Sequence, residues 1–135
     1  MLMYMGSGAA LAAYRRDRRN QMLADCARAC ANAARACLEP PDTDGPEWSG
    51  RETLHRLAVD CEKLCSLTAA LDTRQSELAA YAMTACAEAC AACAAGCEQA
   101  GSHGLLDECR LKCHECEQSC RATAGLLAQH VDVAD

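Results

Sequence analysis

The sequence predicts an all-α protein, an antiparallel up-down-up-down four-helix bundle with a cysteine-lined lumen. Turn-forming residues divide the 135-residue chain into four segments rich in Ala, Leu, Glu, Arg and Gln, which favour helix. Short connections join these segments, and they make neighbouring helices antiparallel. Cysteines recur along the segments at intervals of three and four residues, which is the spacing of one helix face. The length fits a single domain over residues 1–135.

The turn signals set the helix boundaries. The stretch EPPDTDGPEWSG at 39–50 holds all three prolines and ends the first helix. The stretches LDTRQS at 71–76 and AGSHG at 100–104 separate the remaining helices. We therefore expect four helices, at about 8–38, 50–71, 73–100 and 103–130.

Capping residues are predicted at these boundaries. Ser49 has the spacing of a capping box at the start of the second helix. Asp72 or Thr73 would cap the third helix with a side-chain oxygen. Gly101 would end that helix, and Ser102 would cap the fourth.

The cysteines are predicted to share the inward face of every helix. The stretches CAEACAACAAGC (86–97) and CRLKCHECEQSC (109–120) each place four cysteines at intervals of four, three and four. This spacing is typical of the buried face, or inner seam, of a helix in a bundle. The whole set of inward thiols is Cys26, Cys30, Cys37, Cys61, Cys65, Cys86, Cys90, Cys93, Cys97, Cys109, Cys113, Cys116 and Cys120.

The bundle axis is predicted to have two unlike halves. The 39–50 and 100–104 segments share one end, which we call the near end, and the thiols extend inward from it. Beyond the thiols the inward positions become apolar, and this apolar half would hold the helices together. Its predicted members are Leu23, Leu71, Leu78, Tyr81, Leu126 and Leu127.

The spacing of the thiols favours a soft metal ion over disulfides. Two cysteines four residues apart on a helix have Cβ atoms about 5–6 Å apart, whereas a disulfide needs about 3.8 Å. Such a pair can straddle a metal ion, and six CxxxC pairs occur in this chain. All-thiolate surroundings select Cu(I), Zn(II) or iron–sulfur clusters. Cu(I) suits an open-ended row of pairs, since four ligands satisfy a zinc site.

The charge of the lumen also favours Cu(I). A buried thiolate is costly unless an opposite charge compensates it. A monovalent ion at roughly one per thiolate leaves the interior near neutral. We therefore expect multiple Cu(I) ions per chain, with proton release as each thiol ionises.

Other functions have little support in the sequence. The net charge of −6 argues against a nucleic acid partner. No run approaches the roughly 20 apolar residues of a membrane span, so no membrane role is expected. The stretch MLMYMGSGAALAAY lacks a basic secretion n-region, which predicts a cytoplasmic protein with reduced thiols. No catalytic triad, phosphate loop or dinucleotide fingerprint is visible, so we expect no enzyme activity.

Residues 86–120, CAEACAACAAGCEQAGSHGLLDECRLKCHECEQSC, resemble the third and fourth helices of the bacterial copper storage proteins. The resemblance implies a bundle that stores thiolate-bound Cu(I), a homotetramer and no catalytic reaction. The chain is similar to the cytosolic branch of this family. That similarity implies metal uptake through His103 and Asp107 at the near end. We add His55 as an auxiliary ligand, because it lies near the same end. A copper chaperone is a candidate partner.

Two alternatives remain open at this point. The stretches CAAGC and CRLKC, eleven residues apart, resemble twin CX3C hairpins, in which disulfides staple antiparallel helices of structural or chaperone modules. The same scaffold could also serve as a Zn(II) or thiol-redox buffer. Thiol counting and the Cu(I) stoichiometry distinguish these alternatives from copper storage.

Overall fold

The computed structural model consists of four α-helices. It describes residues 2–39, 50–101 and 103–134, with side chains over 8–39, 50–101 and 103–128. The helices are α1 (Leu2–Leu38), α2 (Arg51–Thr73), α3 (Ala79–Ala100) and α4 (Gly104–Ala134). No strand occurs in the described ranges. The predicted all-α four-helix fold is therefore confirmed.

Contacts between the helices give an antiparallel square. Cys65 in the second half of α2 approaches Cys86 in the first half of α3, with 3.6 Å between their sulfurs. Cys93 of α3 and Cys109 of α4 approach to 3.7 Å across the next boundary. Each helix packs against two neighbours, α1 against α2 and α4, and α3 against α2 and α4. This square surrounds a single axis that all four helices can reach.

Two helices start at residues other than the predicted ones. The first begins at Leu2 instead of residue 8, since Leu2, Met3 and Met5 favour helix and extend it towards the N-terminus. The third begins at Ala79 instead of residue 73, because α2 continues to Thr73 and a turn follows. In this turn Gln75 has a φ of 55° and the Ser76 N–H donates to the Leu71 carbonyl.

The predicted caps at Asp72 and Thr73 are wrong because both side chains bind elsewhere. Asp72 is buried and accepts two hydrogen bonds from the Arg19 guanidinium, at 2.8 and 2.9 Å. The Thr73 hydroxyl accepts a hydrogen bond from the Asn20 side chain. These bonds join the end of α2 to the middle of α1.

The remaining cap predictions have mixed outcomes. Gly101 ends α3 with a φ of 90°, as predicted for a glycine stop. Gly50 is the N-cap of α2, and its position has no side-chain cap. Ser49 and Ser102 lie outside the described residues.

The apolar half of the bundle is smaller than predicted. Leu23 and Leu71 are buried and Leu127 is half-buried, as the seam requires. The prediction was wrong for three other residues, since the exposed fractions of Leu78, Tyr81 and Leu126 are 59%, 75% and 65%. They lie off the cysteine seam, which continues along α3 through the buried Met83 and Ala79.

The near end of the core contains apolar side chains that the sequence argument did not include. Leu54 in the first turn of α2 and Leu106 in the first turn of α4 are both fully buried. They belong to the same core cluster as the thiols. The thiol column therefore has leucine packing at the end where uptake was predicted.

Helix α3 is more apolar than the sequence argument recognised. By length and composition it is one candidate membrane span within the described residues, contrary to the expectation that no run would qualify. The buried core helix of a bundle has the same properties. The buried face of α3 is formed by alanines, Met83 and four cysteines, which pack against the other helices.

Candidate metal centre

The interior of the bundle is a column of free thiols. All thirteen cysteines are unbonded to one another and buried, with exposed fractions of 5% or less. Each helix contributes, because the spacing of three and four residues keeps the thiols on one face. The structure therefore places all thirteen cysteine side chains at the inward positions that the sequence predicts.

The thiols form three overlapping layers, each with one cysteine from each helix. Within a layer all four sulfurs lie within 4.8 Å of one another. The near layer is Cys30, Cys61, Cys93 and Cys113; the central layer is Cys26, Cys61, Cys90 and Cys113; the far layer is Cys26, Cys65, Cys90 and Cys116. Adjacent layers share two cysteines, so the column is continuous.

The shortest sulfur contacts lie between helices. The Cys61–Cys90 and Cys65–Cys86 sulfurs are 3.5 and 3.6 Å apart. The CxxxC pair Cys109–Cys113 has a sulfur separation of 3.9 Å. A disulfide bond is about 2.0 Å long, so these are contacts between separate thiols. Cysteines of different helices are therefore placed to bind a metal ion together, as are the two cysteines of a CxxxC pair.

Groups of three thiols continue the column at both ends. Cys86 and Cys120 form a group with Cys116 of the far layer, and Cys97 and Cys109 form a group with Cys93 of the near layer. Cys37 belongs to no such group, although it is buried at the near end. Twelve of the thirteen thiols therefore have two or more sulfur neighbours at ligand distance.

The environment shifts the acidity of the thiols. Burial raises the pKa of Cys37 to about 11. Hydrogen bonding with Cys109 and burial raise the pKa of Cys97, and hydrogen bonding with Cys116 and burial raise that of Cys120. Hydrogen bonds shared with Cys113 lower the pKa of Cys26 and Cys61. Protonated thiols and thiol groups that favour the thiolate thus alternate within the column, because neighbouring sulfurs share hydrogen bonds.

The predicted uptake residues lie near the near end but outside the sulfur groups. His103 is half-buried just before α4, and its Nδ1 accepts a hydrogen bond from the Leu105 N–H at 3.3 Å. Asp107 lies exposed in the first turn of α4. His55 is half-buried on α2, with its Nδ1 3.0 Å from the Ala34 carbonyl oxygen. The groups of possible ligands among the described residues contain only cysteine.

A bundle of this kind, with a continuous column of free thiols inside it, is a container for soft metal ions. Comparison with known proteins agrees with this class. A profile described as "Copper storage protein" matches residues 13–125. The chain therefore belongs to the copper storage protein family, as the sequence resemblance indicated.

A solved structure shows the same fold. The Cu(I)-bound copper storage protein BsCsp3 superimposes with a TM-score of 0.71 at 24% sequence identity. The match covers 80% of this chain and 96% of that chain. No curated protein matches the sequence significantly. Family membership and the structural match together confirm the predicted class, a copper storage protein built as a four-helix bundle.

Proposed function

We propose that this chain stores Cu(I) on the thiolates of its thirteen interior cysteines. The observation that carries the proposal is the set of overlapping four-thiol layers, in which sulfurs of different helices are shared. Shared sulfurs allow adjacent ions to be bridged, so capacity grows along the column instead of stopping at one site. The Cu(I)-bound state of BsCsp3, which has the same fold, supports the choice of ion.

Charge balance sets the expected capacity. The interior of the described bundle contains no lysine or arginine among its buried residues that could compensate thiolates. Cu(I) supplies one positive charge for each proton released, so a filled lumen is near neutral at roughly one ion per thiol. Zn(II) at the same occupancy would leave a large excess of positive charge. Storage needs no catalytic step, and none is assigned.

A Cu(I) titration of the reduced protein against a chromogenic chelator tests this function. The expected result is withdrawal of copper from the chelator until its content approaches the number of thiols, with proton release in proportion. A thiol count on the copper-free protein should find all thirteen thiols free. Saturation at one or two ions, or a count near one thiol, would overturn the proposal in favour of zinc binding or disulfide staples.

The near end is the proposed site of uptake. His103, Asp107 and His55 lie around the first turns of α2 and α4, at the same end of the bundle as Cys97 and Cys109. The Nδ1 contact of His55 leaves its Nε2 for a passing ion. Imidazole and carboxylate groups could hold Cu(I) briefly before thiolates, which bind it more strongly, receive it.

Replacing His103 tests the uptake site. We expect His103→Ala to fill more slowly than the unchanged protein and to reach the same final copper content. His114→Ala is the matched control, because His114 lies on α4 away from the near end and pairs with Glu98 at 3.5 Å on the outer surface. Equal filling rates for both variants and the unchanged protein would remove His103 from the uptake path.

A cytoplasmic location and a homotetramer complete the proposal. Free thiols persist in a reducing compartment, which suits a protein that must keep thirteen of them. Exposed Leu11, Tyr14, Leu111 and Leu126 provide apolar surface for contact with other copies. Light scattering after size exclusion would measure the assembly, and a monomer at micromolar concentration would contradict it. A copper chaperone is the proposed donor of the ions.

A further inference from the structure

The central layer has the dimensions of a tetrahedral metal site. Its sulfurs Cys26 and Cys61 each face Cys90 and Cys113, at 4.0 and 3.9 Å from Cys26 and at 3.5 and 4.0 Å from Cys61. All four sulfurs lie within 4.8 Å of one another. A tetrahedron with Zn–S bonds of 2.3 Å has sulfur–sulfur edges of about 3.8 Å. One cysteine comes from each helix, so the site is assembled by the fold itself.

We propose that the reduced, copper-free protein binds one soft divalent ion, Zn(II) or its analogues Co(II) and Cd(II), at the central layer. The four thiols lose their protons to solvent and form four sulfur–metal bonds, with no change of oxidation state. The inference rests on sulfur geometry alone, so it holds whether or not the chain stores copper.

Neighbouring thiols compensate the charge of this site. A divalent ion with four thiolates carries a net charge of −2, which is costly in a buried place without hydrogen-bond donors. Cys30 and Cys109 approach the Cys113 sulfur at 3.7 and 3.9 Å. While they remain protonated, their S–H groups can donate to that thiolate. Cysteines that bind no ion thus supply hydrogen-bond donors to the thiolates that bind the ion.

Buried negative charge also limits the occupancy to one ion. The near and far layers share no cysteine with each other, so two ions could in principle occupy them. Two tetrathiolate sites would double the buried negative charge and use thiols that otherwise donate hydrogen bonds. A single ion at the central layer keeps Cys30 of the near layer and Cys65 of the far layer protonated.

An anaerobic Co(II) titration of the full reduced chain tests the inference. Tetrahedral thiolate Co(II) has intense d–d absorption and thiolate-to-metal charge transfer, and octahedral aqueous Co(II) does not. We expect these bands to saturate at one Co(II) per chain and to disappear when Zn(II) replaces Co(II). The double variant Cys26→Ser/Cys61→Ser, which removes a sulfur from all three layers, should lose the four-sulfur spectrum at one equivalent.

Matched controls are available one helical turn away. Cys65→Ser and Cys93→Ser change equally buried cysteines next to Cys61 and Cys90, outside the central layer and its two donors, and they should keep the spectrum and the stoichiometry. Circular dichroism verifies that each variant is folded. The expected stoichiometry of one Co(II) per chain is measured on the unchanged chain, so that part of the test does not depend on any variant. Saturation at two ions, loss of the bands in the control variants, or no tetrahedral spectrum would overturn the proposal. A normal Cu(I) titration beside a negative Co(II) result would leave copper storage intact.

Discussion

Cys37 is buried at the near end and belongs to no sulfur group, so burial is the main cause of its shifted pKa. Its pKa rises from 9.0 to about 11 in the folded chain. The folded state therefore holds a proton that the unfolded state loses between these values. The stability contributed by this thiol is complete below pH 9 and is lost as the pH rises to 11.

This linkage gives a pH prediction for the copper-free protein. The difference in unfolding free energy between the unchanged chain and Cys37→Ser should fall by about 2 kcal/mol as the pH rises through that window. Denaturant unfolding of reduced protein at pH 8 and near pH 11 measures it. A difference that stays constant or grows with pH would show that Cys37 is not held as a neutral thiol.

Gly96 on α3 gives a second prediction at the residue scale. A Cβ there would lie 3.1 Å from Leu54 Cδ1 and 3.5 Å from Leu57 Cδ1, and Leu54 is buried. Gly125 on α4 has no such neighbour. Replacing a helical glycine by alanine gains about 1 kcal/mol of helix propensity. We expect Gly125→Ala to gain most of this free energy and Gly96→Ala to gain none or lose stability.

Urea unfolding of the two glycine variants provides the measurement. The comparison is internal, because both changes have the same effect on the unfolded chain. An equal rise in the unfolding midpoint for both variants would mean that Leu54 moves aside freely and that the near end of the core is loosely packed.

At the scale of helices, the bond between Arg19 and Asp72 joins α1 to α2 beyond the thiols. Arg19 donates through two nitrogens, and the exposed side-chain fractions are 18% for Arg19 and 7% for Asp72. Asp72→Ala leaves the guanidinium partly buried without its carboxylate, so we expect a loss of about 2 kcal/mol.

Asp25→Ala is the control for this variant. Asp25 also pairs with an arginine, but its partner Arg28 has a side-chain exposure of 68%. Exposed pairs contribute between about 0 and 1 kcal/mol, so this variant should unfold almost as the unchanged chain does. Similar losses for both aspartates in calorimetry would contradict the role of the α1–α2 bond.

Helix boundaries show which features the sequence could predict. Gly101 was found because a glycine stop is a local signal, and it ends α3 as expected. Asp72 was misread as a cap because its partner Arg19 is 53 residues away in the chain. A local capping pattern cannot indicate a competing partner on another helix, so the start of α3 was placed too early.

At the scale of the whole molecule, the inward face was predictable because thiols mark it at helical spacing. Extending this seam strictly would have identified Met83 and Ala79, whereas general hydrophobicity pointed to the exposed Leu78 and Tyr81. The four-thiol layers could not be predicted, since they depend on the rotation and axial position of all four helices. The burial of Leu54 and Leu106 beside the thiols was missed for the same reason.

The central claim is that the interior thiols hold Cu(I) along the bundle axis. Crystals of the copper-loaded protein, measured with anomalous scattering at the copper edge, test it most directly. We expect a chain of copper peaks within the thiol column, each bonded to cysteine sulfur. Copper peaks confined to the outer surface, or interior sulfurs bonded to one another, would contradict it.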